Sequence, residues 1–150
     1  MFVRPYELSD FEKLVELGTE VHGISSFSHL PIELHKLEDL SHACINYPDT
    51  HVCFVLEHDG EVVGLLAGYA CEEWFGRSIM SSDYLFYVRP NSRGGSGAFR
   101  LMHAFIEWSK LVGSKTIIVG ARTGILVDQT SRFYNKMGFD YTCPLMTKRI

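Results

Sequence analysis

The chain has 150 residues, 46% apolar and 21% charged, with a formal net charge of −4 at pH 7. That length suggests a single domain over residues 1–150 with a sizeable core, and the composition excludes a disordered chain. The acidic balance argues against a nucleic-acid-binding surface, which needs excess Lys and Arg to neutralise phosphates. A local basic pocket for a small anion, built from Arg89, Arg93 and Arg100, remains compatible with it.

The opening "MFVRPYELSD" has no apolar signal core, and no window approaches the roughly 20 apolar residues of a membrane span. Cys44, Cys53, Cys71 and Cys143 lack CxxC spacing and read as small buried thiols in a reducing, cytoplasmic setting. The seven histidines include no HExxH pair; His35 and His42 could share a helix face, but no third metal ligand is evident. No metal is expected.

In chain order, Phe2-Val3-Arg4 predicts a short strand stopped by Pro5. Ser9-Asp10 can cap a helix carrying Phe11, Leu14, Val15, Leu17 and Val21 at helical spacing. Residues 23–31 read as a loop, and Pro31 suits the first turn of a second helix bearing Leu34, Leu37, Leu40 and Ile45. A meander follows: residues 51–57 and 61–70 are strands joined by Asp59-Gly60, a strong hairpin-turn pair, and residues 82–88 are a third strand. A helix over about 96–112 buries Ala98, Leu101, Met102, Phe105, Trp108 and Val112, with Gly113 just past its end. Residues 115–121 are short and β-branched and predict a buried strand. Residues 128–137 predict a short helix closed by Gly138, and 139–149 predict one or two final strands. The order β-α-α-β-β-β-α-β-α-β describes an α/β fold with helices on the faces of a mixed sheet, in which 82–121 is a right-handed crossover.

Between the strand 82–88 and the helix after it stands "RPNSRGGSGAFR". The first amides of a helix have no internal partner, and the helix dipole adds about half a positive charge there. Glycines remove the Cβ atoms that would hold an anion away from those amides. Taken alone, Gly94, Gly95 and Gly97 fit a plain tight turn equally well. A Walker loop is excluded, because no GK[ST] run exists. A dinucleotide fingerprint is excluded too: Arg100 stands where its third glycine belongs, and the turn lies past mid-chain.

"YVRPNSRGGSGAFRLMHAF", followed by "SRFYNKMGF", resembles the GNAT superfamily of acyl-CoA-dependent N-acetyltransferases. The match is good over about residues 82–140, and "VRPYELSDFEKLVEL" at 3–17 resembles that family's first strand and helix. The family loop Arg/Gln-x-x-Gly-x-Gly/Ala falls on Arg93, Gly94, Gly95, Ser96, Gly97 and Ala98, with Ser96 at a usual glycine.

The resemblance implies a mostly antiparallel sheet whose strands splay apart at the cofactor site. There, acetyl-CoA would lay its pantetheine arm along the strand 82–88. It implies that Tyr87 and Val88 lie on the cofactor side, with the Val88 amide holding the acyl carbonyl. The amides of 93–98 and the Arg93 side chain would hold the pyrophosphate. It places Tyr134 near the sulfur as the proton donor; without the motif, Tyr134 is an aromatic on an amphipathic helix. Asp83 is the one carboxylate in 82–88 and the candidate general base, with Glu72 and Glu73 as alternatives; all three also read as surface carboxylates. Val127 stands where many members carry an asparagine. His22 and His29 flank the loop that shapes the acceptor pocket in that family. Tyr69, Trp74, Phe75 and Phe27 fit either core packing or an apolar acceptor wall. The acceptor would be a small-molecule or protein amine, and a homodimer stays open. A non-catalytic acyl-CoA sensor is the alternative, motivated by Ser96 and Val127.

Overall fold

Asp59 and Gly60 both adopt positive φ, 51° and 83°, the conformation of a two-residue hairpin turn whose twist matches that of the flanking strands. That turn joins β2 (His51–His58) to β3 (Glu61–Glu72), and β3 returns as β4 (Ile79–Val88). In the computed structural model, which describes residues 1–150, this meander is the centre of a five-stranded sheet in the order β1-β2-β3-β4-β5. β1 (Phe2–Pro5) pairs antiparallel with β2, and β5 (Thr116–Ile118) pairs parallel with β4. The helices are α1 (Phe11–Gly23), α2 (Leu34–Asn46), α3 (Gly97–Leu111) and α4 (Val127–Lys136). None is long and apolar enough to cross a membrane.

Side-chain alternation along the strands divides the core in two. On one face Leu56 and Leu66 of the sheet are fully buried against Leu101, Met102 and Phe105 of α3, with Tyr134 of α4 at the margin. On the other, Val55, Leu65 and Tyr87 pack against Leu17 of α1, and Leu37, Leu40 and Cys44 of α2 close that side. Leu34 and Ile45 are 51% and 39% exposed, so α2 offers the core a narrower stripe than its apolar residues suggest. The helix begins three residues beyond Pro31, which lies ahead of it. Asp10 does accept an amide bond, from Glu7 at 2.9 Å, but it caps a 3-10 turn over Leu8–Asp10 and is clamped by Arg4 at 2.7 and 2.8 Å.

Two other expectations are corrected. The segment 115–121 contributes only three strand residues, and they are not buried: Ile118 is 48% exposed at the sheet edge. Residues 139–149 form no strand. Pro144 has no amide to donate to a ladder, and a three-residue β5 offers little edge to pair with.

Gly68 fixes how closely β3 and β4 approach near the point where β5 leaves. A Cβ there would lie 2.5 Å from the Phe105 ring and 2.8 Å from the Ser82 carbonyl oxygen. Backbone cannot yield cheaply, so Gly68→Ala is expected to cost about 1–3 kcal/mol by overpacking. Urea unfolding measures this; an unchanged midpoint would show that the two strands have slack.

Candidate active site

β4 carries the site because its outer edge is only partly used. β5 pairs with it at Met80, Ser81 and Ser82 and then ends. At Gly68 the β3–β4 register slips, so Tyr84 is an extra residue in β4 immediately after Asp83. Such a bulge re-aims the chain and its side chains. Further along, the Arg89 amide donates to Val63 of β3 at 2.9 Å. The Val88 carbonyl belongs to the same planar peptide and therefore points the opposite way, off the free edge. By the alternation of an antiparallel ladder, the amides of Val88 and Phe86 face that edge too. The strands splay here, leaving backbone donors and acceptors that require partners.

A cavity of about 350 Å³ fills the gap. Its walls are β4 from Asp83 to Val88, the glycine loop, the segment after β5, and α4. Of the residues singled out by sequence, Asp83, Tyr87, Val88, Arg93, Gly94, Gly95, Ala98 and Tyr134 line it together. Ser96 and Gly97 do not; Ser96 lies on an outer groove, where its Oγ accepts a 3.1 Å bond from Arg100 Nε.

The three glycines serve different ends. Gly94 has φ of 89°, which a side chain rarely adopts. Gly97 is needed for packing, since its Cβ would meet Leu56 at 2.5 Å. Gly95 has neither need: a Cβ there would meet nothing within 4 Å. Its bare backbone faces the cavity at the start of α3, where free amides favour an anion.

The proposed basic cluster is not assembled. Arg89 is held by Glu16 and Glu20 of α1, Arg100 points to the outer groove, and Arg93 alone of the three reaches the cavity. Its Nε donates to the Val88 carbonyl at 2.7 Å, and its guanidinium lies 5.6 Å from the centre of the Tyr87 ring.

Asp83 is buried, and its Oδ1 has no hydrogen-bond partner. Burial pushes its carboxyl up to about 6, against the opposing pull of backbone amides and of Arg122. Tyr134 is also buried; desolvation, and then the charge of Asp83, hold its phenol well above the usual range. The cavity thus holds a carboxylate ready to accept a proton near neutral pH and a hydroxyl that keeps its own. Glu72 is exposed at the end of β3 and Glu73 lies in the turn beyond it; neither lines the cavity, nor do His22 and His29. Trp74 and Phe75 are 92% and 72% exposed, stacked edge to face in the β3–β4 turn, so they are not core residues. Val127 opens α4, half exposed, outside the cavity lining.

Sequence reasoning missed Arg122, Gln129, Thr130 and Phe133, all on the cavity wall. Gln129, Thr130 and Phe133 lie one to five residues before Tyr134 on α4, so helical spacing from Tyr134 could have found Thr130. Arg122 follows β5 in irregular chain, where no periodicity marks it.

The family model for GNAT acetyltransferases matches residues 16–139. The chain belongs to the GNAT family. Several solved GNAT-type structures share its fold. A Trypanosoma brucei acetyltransferase is 20% identical with a TM-score of 0.74, the alignment covering 99% of this chain and 98% of that one. Glucosamine-6-phosphate N-acetyltransferase from Arabidopsis thaliana is 17% identical, TM-score 0.75, over 98% and 96% of the two chains. AAC(6')-Iy, solved with the bisubstrate analogue CoA-S-monomethyl-acetylneamine, is 18% identical, TM-score 0.76, over 99% and 96%. No curated protein matches the chain in sequence. This GNAT chain therefore shares a whole fold with its structural relatives and little of their sequence.

Proposed function

We propose that the chain is a single-domain, acetyl-CoA-dependent N-acetyltransferase acting on a primary amine through a ternary complex. The observation that carries this reading is the free edge of β4, facing one cavity that also holds bare loop amides, Asp83 and Tyr134. An extended, amide-bearing arm such as pantetheine pairs with the backbone groups of Phe86 and Val88, while the amides around Gly95 take the pyrophosphate. Of the four cysteines, expected to be buried, Cys53 is buried, Cys44 is partly so, and Cys71 and Cys143 are exposed; free thiols at the surface fit a reducing, cytoplasmic location.

Asp83 takes the proton of the incoming ammonium group. The amine nitrogen then forms its bond to the thioester carbon, and a free amide of the β4 edge donates to the developing oxyanion. Collapse breaks the carbon–sulfur bond; the surplus proton of the nitrogen passes to the leaving sulfur, whose developing charge the Tyr134 hydroxyl stabilises by a hydrogen bond, giving an amide and free CoA. A phenol is a weaker acid than a thiol, so Tyr134 acts mainly by stabilising charge in the transition state.

The test is thiol release from acetyl-CoA with a panel of spermidine, glucosamine 6-phosphate, and peptides bearing a free N-terminus or a lysine. Release with at least one amine is expected; acetyl-CoA binding without release from a broad panel would favour the sensor. Tyr134→Phe keeps the ring packed against Phe139, 5.7 Å between centroids, and removes only the donor. Its melting temperature and acetyl-CoA affinity should stay near wild type while kcat falls at least about tenfold. An unchanged kcat, with chemistry rate-limiting, would make Tyr134 a packing residue.

A further inference from the structure

Three charged side chains line the cavity: Asp83, Arg93 and Arg122. Arg93 comes from the glycine loop, at the donor's end. Arg122 comes from a different wall, the irregular chain after β5. Its backbone is held by Ser26, from the stretch between α1 and α2. The Ser26 amide donates to the Thr123 carbonyl at 2.8 Å, and its hydroxyl to the Arg122 carbonyl at 3.5 Å. The Gly124 amide closes the turn on the Ala121 carbonyl at 3.0 Å. The Arg122 stem runs back over Gly120, with Cγ 3.9 Å from where a Cβ on Gly120 would stand. Gly120 is itself a cavity residue whose amide pulls on the Asp83 carboxylate, so the stem is directed to the Asp83 end.

Unlike most of its counterparts, this arginine has no partner. Arg4 pairs with Asp10 and Glu57, and Arg89 with Glu16 and Glu20. Arg93 and Arg100 donate to Val88 and Ser96. None of the chain's ion pairs includes Arg122. Nor does Asp83 Oδ1, buried in the same cavity, have a hydrogen-bond partner. We propose that Arg122 is a specificity-determining residue of the acceptor site, binding a carboxylate or phosphate that the acceptor carries a few bonds from the amine deprotonated by Asp83. A polyamine would need further carboxylates on the wall, but Asp83 is the one present, and Thr123, Gln129 and Thr130 are neutral. The guanidinium is a planar fork of donors that matches carboxylate and phosphate oxygens. An acceptor bearing both signs of charge satisfies Asp83 and Arg122 together, and two contacts orient its nitrogen better than one.

This assignment rests on the acetyltransferase reading, and the test separates the two. Thiol release from acetyl-CoA is measured in wild type, Arg122→Gln and Arg122→Glu with two amine pairs: O-phosphoethanolamine with ethanolamine, and leucine with leucinamide. The members of a pair differ by one anionic group. Comparing a pair's kcat/KM ratio between proteins cancels the amines' own basicity. Wild type should prefer the anionic member of at least one pair, and which pair shows it tells phosphate from carboxylate. That preference should fall about tenfold in Arg122→Gln, as for one lost charged hydrogen bond, and further in Arg122→Glu. Acetyl-CoA affinity, by calorimetry, should stay that of wild type. An unchanged ratio in Arg122→Gln would overturn the assignment, as would wild-type preference for the neutral member of both pairs. Equal losses for both members would make Arg122 a partner of Asp83 instead, and a matching fall in acetyl-CoA affinity would make it a donor contact; either overturns the proposal. If wild type releases no thiol with any amine, the acetyltransferase reading itself fails. The anion site is still read by NMR of the Arg122 Nε resonance, which O-phosphoethanolamine or leucine should shift more than its neutral partner does. Equal shifts within both pairs would remove the site.

Discussion

Asp83→Asn is expected to reduce kcat at least about 100-fold and, at neutral pH, to make the protein more stable. The rate loss is that of removing a positioned general base. The stability gain follows from burial. The ordinary value for an aspartate here is 3.8, and the folded protein raises it to about 6. Between those pH values the unfolded chain has released its proton while the folded chain still holds one, so stability falls as pH rises through the window. Above about pH 6 the full cost is in place, about 3 kcal/mol from the difference between the two values. An amide of the same shape carries no charge to desolvate. Urea unfolding at pH 7.5 should therefore show Asp83→Asn up to about 3 kcal/mol more stable than wild type, with the gap closing toward pH 4. Activity shows the opposite face of the same ionisation: wild-type kcat/KM should fall below about pH 6, as Asp83 takes up its proton. A variant that is more stable and fully active would show that Asp83 is a buried carboxylate outside the chemistry.

Gly95→Glu should weaken acetyl-CoA binding about 100-fold, through lost amide hydrogen bonds and a negative charge beside the pyrophosphate. The fold should be untouched, because a side chain at this position has open space and an ordinary φ. Gly95→Ala, with bulk but no charge, should cost less. Calorimetric titration and melting curves read both effects. Its neighbours do not offer so clean a test: substitution strains the positive φ of Gly94 and drives Gly97 into Leu56. Full affinity in folded Gly95→Glu would move the anion site away from the loop.

How far the sequence speaks for the site depends on how local the governing physics is. The hairpin at Asp59-Gly60, the buried stripe of α3 and the strand–loop–helix unit around Gly95 are marked by turn residues and by periodicity within a short window, and they appear where the pattern puts them. Arg89 and Arg100 looked like partners of Arg93, but tertiary packing gives Arg89 to Glu16 and Glu20 of α1, and Arg100 bonds to Ser96 one turn back, on the outer groove. Gly97 looked like a ligand contact until Leu56 of β2 was brought against it. The apolar run 115–121 reads as a buried strand because composition cannot tell a sheet edge from its centre. Asp83 could be named from sequence, but its burial beside Tyr134 depends on the bulge at Tyr84 and on α4 folding over the edge.

The central claim is that acetyl-CoA binds along the free edge of β4 with its pyrophosphate on the loop before α3. Residue-resolved amide hydrogen exchange with and without saturating acetyl-CoA tests it most directly. The account predicts slowed exchange at Phe86 and Val88 and at the amides of 94–98, with β1 and β2 unchanged. Stabilisation by acetyl-CoA with no added protection at Phe86, Val88 and Gly95 would contradict it.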